Sequence, residues 1–332
     1  MRSAMPPPRV TVLHDGELPS GMGRIEALAE VRTATAKDLE PLLADTDVLL
    51  AWDFLTPALD GIDVDSTALR WIHTASAGVD NVLTPEVAAS TVTVTNSRGV
   101  FDQAIAEYVL GVMLMYAKDL HGTWSRQRDR HWEHRETESL HGRRVVVVGV
   151  GPIGRAIARL LTAVGMQVAG VGRTARSGDV DFGEIAASTG LVERVGSADF
   201  VVLAAPLTEQ TRGLVDRNVL AAMAPTARLV NVGRGELVVE PDLVAALDDG
   251  EIAGAALDVF EREPLPVDSP LWGHPSVLVS PHMSADVVGW RDELAALFTD
   301  NLRRWTAGQP LRNVVDKTLG YVRTPDAQRE PT

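Results

Sequence analysis

The chain has 332 residues, 45% of them hydrophobic, and a formal net charge of −14. The length suggests about two domains with sizeable cores, and the negative charge argues against nucleic acid or an anionic membrane surface as a partner. No cysteine is present, which excludes disulfides, thiolate catalysis and cysteine-bound metals. We expect a cytoplasmic protein, because no apolar run approaches the ~18 residues of a membrane span and residues 1–8 lack the apolar segment of a secretory signal.

Short strands alternate with helical stretches in the first third of the chain. The predicted strands are 9–13, 47–51, 70–74 and 91–95. A helix is predicted over 21–30, where apolar residues recur at helical spacing. This alternation favours a parallel α/β layer that forms a domain of its own.

The next stretch connects this layer to the rest of the chain. Residues 102–119 carry a long helical pattern and are predicted to cross between domains. Residues 121–144 are polar but contain Trp124 and Trp132. They are either a solvated connector or a partly buried segment at a subunit interface, and the tryptophans favour the interface.

A glycine-rich turn follows the strand Val145–Val148 and opens a helix. The spacing of Gly149, Gly151 and Gly154 is G-x-G-x-x-G in the strand–turn–helix setting that is typical of dinucleotide binding. Gly149 permits the tight turn, Gly151 lets a pyrophosphate approach the backbone, and Gly154 lets helix and strand pack closely. The alternative is a turn whose glycines serve packing alone.

Strands and helices continue to alternate after this turn. Further strands are predicted at 167–171, 199–204, 228–232, 253–259 and 276–280, with helices at 240–248 and 286–307. They predict a doubly wound sheet of about six strands. The tail from Thr324 is rich in proline and charge, and we expect it to be disordered.

The second strand of a dinucleotide fold normally ends in an acid that binds the ribose 2′-hydroxyl. Here Gly172 stands at that position, and Arg173, Thr174 and Arg176 follow. A glycine leaves room for a 2′-phosphate and arginines pair with it. The segment therefore favours NADP, although a solvent-facing turn with NAD still accepted is the alternative.

Charged side chains follow three later strands of the second domain. Arg234, Glu263 and His282 are expected to converge, because ligands bind at the carboxyl ends of such strands. Reduction of a 2-oxo acid needs a guanidinium for the carboxylate, an imidazole as proton donor and a carboxylate that favours the imidazolium. Gly233 and Gly235 flank the arginine and are interpreted as allowing close approach of a ligand.

Several motifs in the same order resemble the D-isomer-specific 2-hydroxyacid dehydrogenase family. The resembling segments are 105–107, 148–154, 205–211, 231–235, 258–264 and 281–282. The resemblance implies an α/β fold of two doubly wound parallel-sheet domains, with a Rossmann dinucleotide domain inserted in a flavodoxin-like substrate domain. It places the substrate domain at residues 1–103 and 283–332 and the NAD(P)-binding domain at 104–282, and it implies a homodimer.

The resemblance also implies roles for matching residues. Arg234 would bind the substrate carboxylate and carbonyl, Glu263 would pair with the acid/base His282, and the N–H groups of Ala77 and Gly78 would bind the carboxylate. Asp258 would meet the nicotinamide side of the cofactor. The expected cofactor-binding residues are Gly149, Gly151, Pro152, Ile153, Gly154, Arg173, Thr174, Arg176, Pro206, Thr211, Val232, Gly233, Arg234, Asp258 and His282.

The implied activity is NAD(P)-dependent reduction of small 2-oxo acids to D-2-hydroxy acids, of the glyoxylate/hydroxypyruvate reductase type. NADP is the expected cofactor and NAD remains possible. Two alternatives stay open: a non-catalytic NAD(P)-binding corepressor or sensor, and an NAD-dependent dehydrogenase of a larger or phosphorylated 2-hydroxy acid. Recognition of a phosphorylated substrate would need basic residues near 75–80. That loop contains none, although Arg98 could lie nearby.

Other histidines carry little chemical signal. His131 and His134 flank Glu133 and could suggest a metal site, but a third strong ligand and the H-E-x-x-H spacing are missing. We therefore expect no metal. Glu263 also argues against a formate dehydrogenase, since those relatives of the family pair the histidine with glutamine.

Overall fold

The computed structural model describes residues 6–323, and these form two compact units. The split unit consists of the described residues up to Val100 and those from Val287 onward, and the inserted unit is Phe101–Asp286. Both units are α/β layers built on mainly parallel sheets, as the sequence predicts. The division of labour between a substrate unit and a cofactor unit stays a prediction.

The split unit contains a five-stranded parallel sheet in the order β2-β1-β3-β4-β5, which is the flavodoxin-like order. The strands are β1 (Arg9–Leu13), β2 (Glu30–Ala34), β3 (Val48–Ala51), β4 (Trp71–Thr74) and β5 (Thr93–Thr95). The helices are α1 (Met22–Glu26), α2 (Leu39–Leu43), α3 (Pro85–Ala89) and α10 (Trp290–Thr306).

Four of these strands confirm the sequence prediction, and β2 corrects it. The helix predicted over 21–30 ends at Glu26, and Glu30 already begins β2. Strand β2 lies at the edge of the sheet, and only Ala34 in it is fully buried. An edge strand with so little buried surface lacks the hydrophobic alternation by which strands are recognised.

The core of the split unit is aromatic and joins residues that are far apart in sequence. Trp71 in β4 is fully buried and stacks on Phe298 and Trp305 of α10, at centroid distances of 5.4 and 5.5 Å. Its indole Nε1 donates a hydrogen bond of 2.8 Å to the hydroxyl of Thr95 in β5. Helix α10 therefore completes a core that the first strands begin.

The inserted unit contains an eight-stranded sheet in the order β13-β12-β11-β10-β6-β7-β9-β8. The strands are β6 (Arg144–Val148), β7 (Gln167–Gly172), β8 (Arg176–Asp179), β9 (Gly183–Ala187), β10 (Phe200–Leu203), β11 (Arg228–Asn231), β12 (Gly254–Leu257) and β13 (Val277–Val279). The helices are α4 (Asp102–Ala117), α5 (Leu120–Arg128), α6 (Pro152–Ala163), α7 (Leu191–Val195), α8 (Arg217–Ala222) and α9 (Glu240–Asp248).

Six of these strands reproduce the order of a Rossmann fold around its first strand, β6. The hairpin of β8 and β9 at the sheet edge is absent from the sequence prediction. Strand β8 is the only antiparallel member among the described strands, and most of its residues are exposed. Its polar sequence, Arg176–Asp179, therefore carries no strand signal.

The segment after α4 differs from its prediction. Residues Leu120–Arg128 form helix α5, which was not predicted from the sequence. In the single chain, Trp124 is 68% exposed and Trp132 is 98% exposed, so neither side chain is buried within one subunit. A subunit interface on these side chains stays a prediction.

Three further expectations concern a membrane span, a metal site and the C-terminal tail. No helix in residues 6–323 is long and apolar enough to cross a membrane. The same residues contain no group of three or more histidine and acidic side chains arranged to hold a metal ion. The tail from Thr324, predicted to be disordered, lies outside the described residues.

Candidate functional site

The glycine-rich turn lies between β6 and α6, as the sequence predicts. A Cβ on Gly149 would come within 2.5 Å of the backbone of Ala204, and one on Gly154 within 1.8 Å of the Gly149 carbonyl oxygen. Gly149 also has a φ of +106°, a conformation that L side chains rarely adopt. These two glycines are required by packing of the turn.

Gly151 differs, because a Cβ there would have nothing within 4 Å. Packing does not explain this glycine, and its role in letting a ligand approach the backbone stays a prediction. Gly151 caps α6 without a side-chain hydrogen bond, and the first turn of the helix, with Pro152 and Ile153, contains no acid. The N-terminal N–H groups and the positive end of the helix dipole suit a pyrophosphate.

The end of β7 carries the residues predicted to meet the ribose 2′ position. A Cβ on Gly172 would come within 2.9 Å of Val150 and 3.3 Å of Ile185. The Cβ position of this glycine is therefore occupied by apolar side chains, so packing explains the glycine, and room for a phosphate at the end of β7 stays a prediction. Arg173 and Thr174 follow on the surface.

Arg176, the third residue predicted at this end, begins β8 and already has a partner. Its guanidinium donates a hydrogen bond of 3.3 Å to Asp179. Asp179 is bound more closely by Arg155 of α6, at 2.8 and 2.6 Å, and this pairing holds the pKa of the carboxyl well below its ordinary value. Arg155 also binds Asp181. These ion pairs tie the β8–β9 hairpin to the helix that begins at the glycine turn.

The loop after β10 is closed by its own threonines. The hydroxyl of Thr211 donates to the carbonyl of Pro206 at 2.7 Å and accepts from the backbone N–H of Thr208 at 2.8 Å. This short turn fixes the backbone at Pro206 and Thr211, both of which are predicted cofactor residues.

The loop after β11 presents Arg234. Asn231 braces it, since its side-chain amide donates to the carbonyl of Arg234 at 2.9 Å and its side-chain oxygen accepts from the N–H of Gly233 at 3.1 Å. A Cβ on Gly235 would come within 1.8 Å of the backbone carbonyl carbon of Phe260. Gly235 thus allows two loops to touch, and the interpretation that it admits a ligand is wrong.

Glu263 and His282 form a hydrogen-bonded pair. The distance from Glu263 Oε2 to His282 Nδ1 is 2.7 Å, and each side chain is 30% exposed. The other oxygen of Glu263 accepts from the N–H of Phe260 at 3.0 Å. Burial acts to raise the pKa of Glu263, but the hydrogen bond and charge of His282, the N–H of Phe260 and the charge of Arg234 together bring this pKa below its ordinary value.

Asp258 follows β12 and is completely buried. Its carboxylate accepts hydrogen bonds from the hydroxyl of Ser280 at 2.6 Å and from the N–H groups of Met283 and Ser284 at 2.9 Å each. The carboxylate is thus occupied by the loop that carries His282. The expected contact with the nicotinamide stays a prediction.

Ala77 and Gly78 follow β4 in the split unit. Their carbonyl oxygens accept hydrogen bonds from the side chains of Asn96 at 2.6 Å and Ser76 at 2.7 Å. Because the C=O and N–H of a peptide point in opposite directions, the N–H of Gly78 points away from Asn96. Arg98, considered for a phosphate, donates to the carbonyls of Val322 and Arg323 at 3.0 and 3.4 Å.

Sequence reasoning gave no role to Asn231, Ser280 or Tyr108. Asn231 begins the segment 231–235, and a side-chain amide two residues before Gly233 could have been recognised as a brace for that turn. Ser280 immediately precedes the Pro-His pair of the same loop. Tyr108 carried no signal, because its partner Ser280 is distant in sequence.

Comparisons with known proteins identify the family of this chain. Residues 110–284 match the model of the D-isomer specific 2-hydroxyacid dehydrogenase NAD binding domain. A glyoxylate reductase of Thermococcus gammatolerans is 31% identical over 311 residues, covering 91% of this chain and 92% of that protein.

Solved structures are similar over nearly the whole chain. The D-isomer specific 2-hydroxyacid dehydrogenase of Xanthobacter autotrophicus Py2, in complex with NADPH and MES, has a TM-score of 0.79 and 30% identity, covering 95% of this chain and 99% of that one. An NADPH-dependent glyoxylate/hydroxypyruvate reductase of Sinorhizobium meliloti, in complex with NADP and malonate, has a TM-score of 0.79 and 30% identity, covering 96% and 99%. The chain belongs to the D-isomer specific 2-hydroxyacid dehydrogenase family.

Proposed function

We propose that the protein is an NAD(P)-dependent reductase of small 2-oxo acids to D-2-hydroxy acids, of the glyoxylate/hydroxypyruvate reductase type. The observation that carries this proposal is the hydrogen bond of 2.7 Å between His282 and Glu263. A protein that only bound a dinucleotide would have no use for a carboxylate-paired imidazole. The names of the related reductases from Thermococcus gammatolerans and Sinorhizobium meliloti support the substrate class.

His282 is the proposed proton donor. Glu263 binds Nδ1, so Nε2 is the nitrogen that delivers a proton to the substrate carbonyl oxygen, and the negative charge of Glu263 stabilises the imidazolium. A nicotinamide cofactor, when bound, would supply the hydride for the carbonyl carbon. In the oxidative direction, neutral His282 accepts the proton instead.

Arg234 is the proposed group that binds the substrate carboxylate and polarises the carbonyl. A guanidinium suits this task because it stays charged and binds a carboxylate through two parallel hydrogen bonds. Asn231 holds the backbone of Arg234, which limits the motion of the loop. The N–H groups of Ala77 and Gly78 are proposed as further donors to a carboxylate.

We propose NADP as the preferred cofactor. Arg173 and Arg176 provide positive charge after β7, and no acid occupies the end of that strand. The related structures from Xanthobacter autotrophicus and Sinorhizobium meliloti contain NADPH and NADP. Asp179 counts against the proposal, because its carboxylate accepts a hydrogen bond from Arg176 and so occupies one of the two arginines.

The cofactor proposal is tested by replacing Arg173 with alanine. We expect KM for NADPH to rise about 10- to 100-fold and KM for NADH to stay unchanged, because a charge-assisted hydrogen bond contributes about 1.5–3 kcal/mol. Arg159→Ala is the matched control, since Arg159 is a well-exposed arginine of α6 whose partner is Asp181. A wild-type preference for NADH, or an equal rise in both KM values, would contradict the proposal.

The activity itself is tested with glyoxylate, hydroxypyruvate, pyruvate and phenylpyruvate, each with NADPH and NADH. We expect turnover on at least one of the smaller acids and formation of the D-isomer, measured by chiral chromatography. If the purified protein binds NADPH but turns over none of these acids, the proposed function is wrong and the binding-only alternative returns.

A further inference from the structure

A chain of hydroxyl groups leads from helix α4 to the buried Asp258. The phenolic oxygen of Tyr108 lies 2.5 Å from the hydroxyl of Ser280, which in turn lies 2.6 Å from Asp258 Oδ1. Tyr108 and Ser280 are 172 residues apart in sequence. These two hydrogen bonds connect a side chain of α4 to the loop that carries His282.

The direction of these hydrogen bonds follows from the chemistry of their ends. Asp258 accepts an N–H of the backbone on each of its oxygens, and an ionised carboxylate can only accept. Ser280 therefore donates its proton to Asp258 and accepts from Tyr108. Burial raises the pKa of Tyr108, the hydrogen bond with Ser280 acts to lower it and the charge of Asp258 to raise it, so the phenol keeps its proton and remains a donor.

Asp258 holds the backbone on both sides of the catalytic candidate. Its main-chain oxygen accepts the N–H of His282 at 2.8 Å, and its carboxylate accepts the next two N–H groups, those of Met283 and Ser284. His282 has a φ of +53°, which is uncommon for a residue other than glycine and persists only where its surroundings enforce it. Asp258 provides that enforcement.

We propose that Tyr108 is a positioning residue, which acts through Ser280 to hold Asp258 and thereby keeps the His282 loop in its reactive conformation. The phenol donates to Ser280, whose hydroxyl is one of the donors to a carboxylate that is fully buried, and a buried carboxylate is stable only when its hydrogen-bonding capacity is used. The effect of Tyr108 on the loop is independent of the reaction, whereas its effect on turnover rests on the proposed function.

Tyr116 offers a matched control on the same helix. It lies eight residues after Tyr108, and its phenol donates to the main-chain oxygens of Ala255 at 2.6 Å and Ser276 at 3.3 Å. Both tyrosines thus anchor α4 to the sheet of the inserted unit. Of these two tyrosines, Tyr108 alone is hydrogen-bonded to Ser280 and through it to Asp258. A comparison of the variants that lack one hydroxyl or the other therefore separates positioning of the His282 loop from general stability.

The first test is amide hydrogen exchange, which requires no substrate. We expect Tyr108→Phe to increase exchange at Met283 and Ser284 about three- to tenfold, as loss of one hydrogen bond predicts, and Tyr116→Phe to leave exchange there unchanged. Equal exchange in the two variants would overturn the proposal. Should Tyr108→Phe fail to fold, the pair Ser280→Ala and Ser280→Thr gives the same information, because only threonine retains the hydroxyl.

The second test is steady-state reduction of a 2-oxo acid. We expect Tyr108→Phe and Ser280→Ala to lower kcat about three- to tenfold without changing KM for NADPH, and Ser280→Thr to restore kcat. Wild-type kcat in Ser280→Ala, with the loop amides exchanging faster, would overturn the link to turnover. Faster exchange in a protein whose wild type turns over no 2-oxo acid would support positioning and overturn the proposed function alone.

Discussion

Two histidines show how differently the two units treat the same side chain. His73 in β4 is completely buried, and its ring nitrogens face hydroxyl groups: Thr95 at 2.8 Å and Ser97 at 3.4 Å. His282 follows β13, is 30% exposed and faces the carboxylate of Glu263. One ring is enclosed among uncharged groups, and the other has both a charged partner and access to solvent.

The difference in surroundings assigns different roles to the two histidines. Burial without a charged partner lowers the pKa of His73 to about 3, so this ring stays neutral and serves as a polar member of the core. A carboxylate partner stabilises the imidazolium, and partial exposure gives the proton a route. We therefore assign proton transfer to His282 and packing to His73.

Removal of the imidazole from His282 gives the largest expected effect. His282→Ala is expected to lower kcat for 2-oxo acid reduction by about 10²- to 10⁴-fold, the range typical of a lost general acid. His73→Gln, the matched change in the other unit, is expected to leave kcat per folded molecule unchanged. Stopped assays with NADPH at pH 7 measure both. A similar loss in the two variants would abolish the distinction between them.

Loss of the carboxylate beside His282 gives a smaller effect. Glu263→Gln is expected to lower kcat for reduction about 10- to 100-fold, since a hydrogen bond to a charged group contributes about 1.5–3 kcal/mol. Glu261→Gln, which alters a neighbouring acid bonded to the N–H of Glu240, is the control. Wild-type kcat in Glu263→Gln would contradict the assigned role of Glu263.

The smallest expected effect concerns stability rather than activity. The pKa of His73 is 6.5 in the unfolded chain and about 3 in the folded one, so the unfolded state binds the proton first. The contribution of His73 to the free energy of unfolding is complete above pH 6.5 and decreases as the pH falls toward about 3. Between pH 7 and pH 5 the free energy of unfolding should fall by about 2 kcal/mol on this account.

Urea unfolding at the two pH values measures this loss. We expect His73→Gln to have a flatter pH dependence of the free energy of unfolding than the wild type. The comparison between variants isolates one ring from the other groups that titrate. A His73→Gln protein that loses as much stability as the wild type would show that this ring does not titrate on unfolding.

The parts of the fold that bury apolar residues were predictable from the sequence. Strands such as Val48–Ala51 and Phe200–Leu203 are buried at every position, and a continuous apolar run is the pattern expected of a central parallel strand. Glu30–Ala34 and the β8–β9 hairpin were missed, because they lie at sheet edges where exposed polar residues carry no such pattern.

The residue types of the site were predictable from the sequence, but the packing contacts around them were less so. The sequence placed Glu263 and His282 at strand ends, and the structure joins them at 2.7 Å. It could not show which neighbour each glycine faces: Gly235 faces the backbone of Phe260, and Gly172 faces Val150 and Ile185. Such contacts join segments distant in sequence, so no local pattern encodes them.

The stacking of Trp71 on helix α10 affects the order in which the two units fold during synthesis. The strands of the split unit leave the ribosome first, but Phe298 and Trp305, which cover Trp71, are made more than 220 residues later. The inserted unit is continuous in the chain and can fold during that delay. The early strands meanwhile expose apolar surface of the kind that chaperones bind. Completion of the split unit is therefore the last step of synthesis-coupled folding.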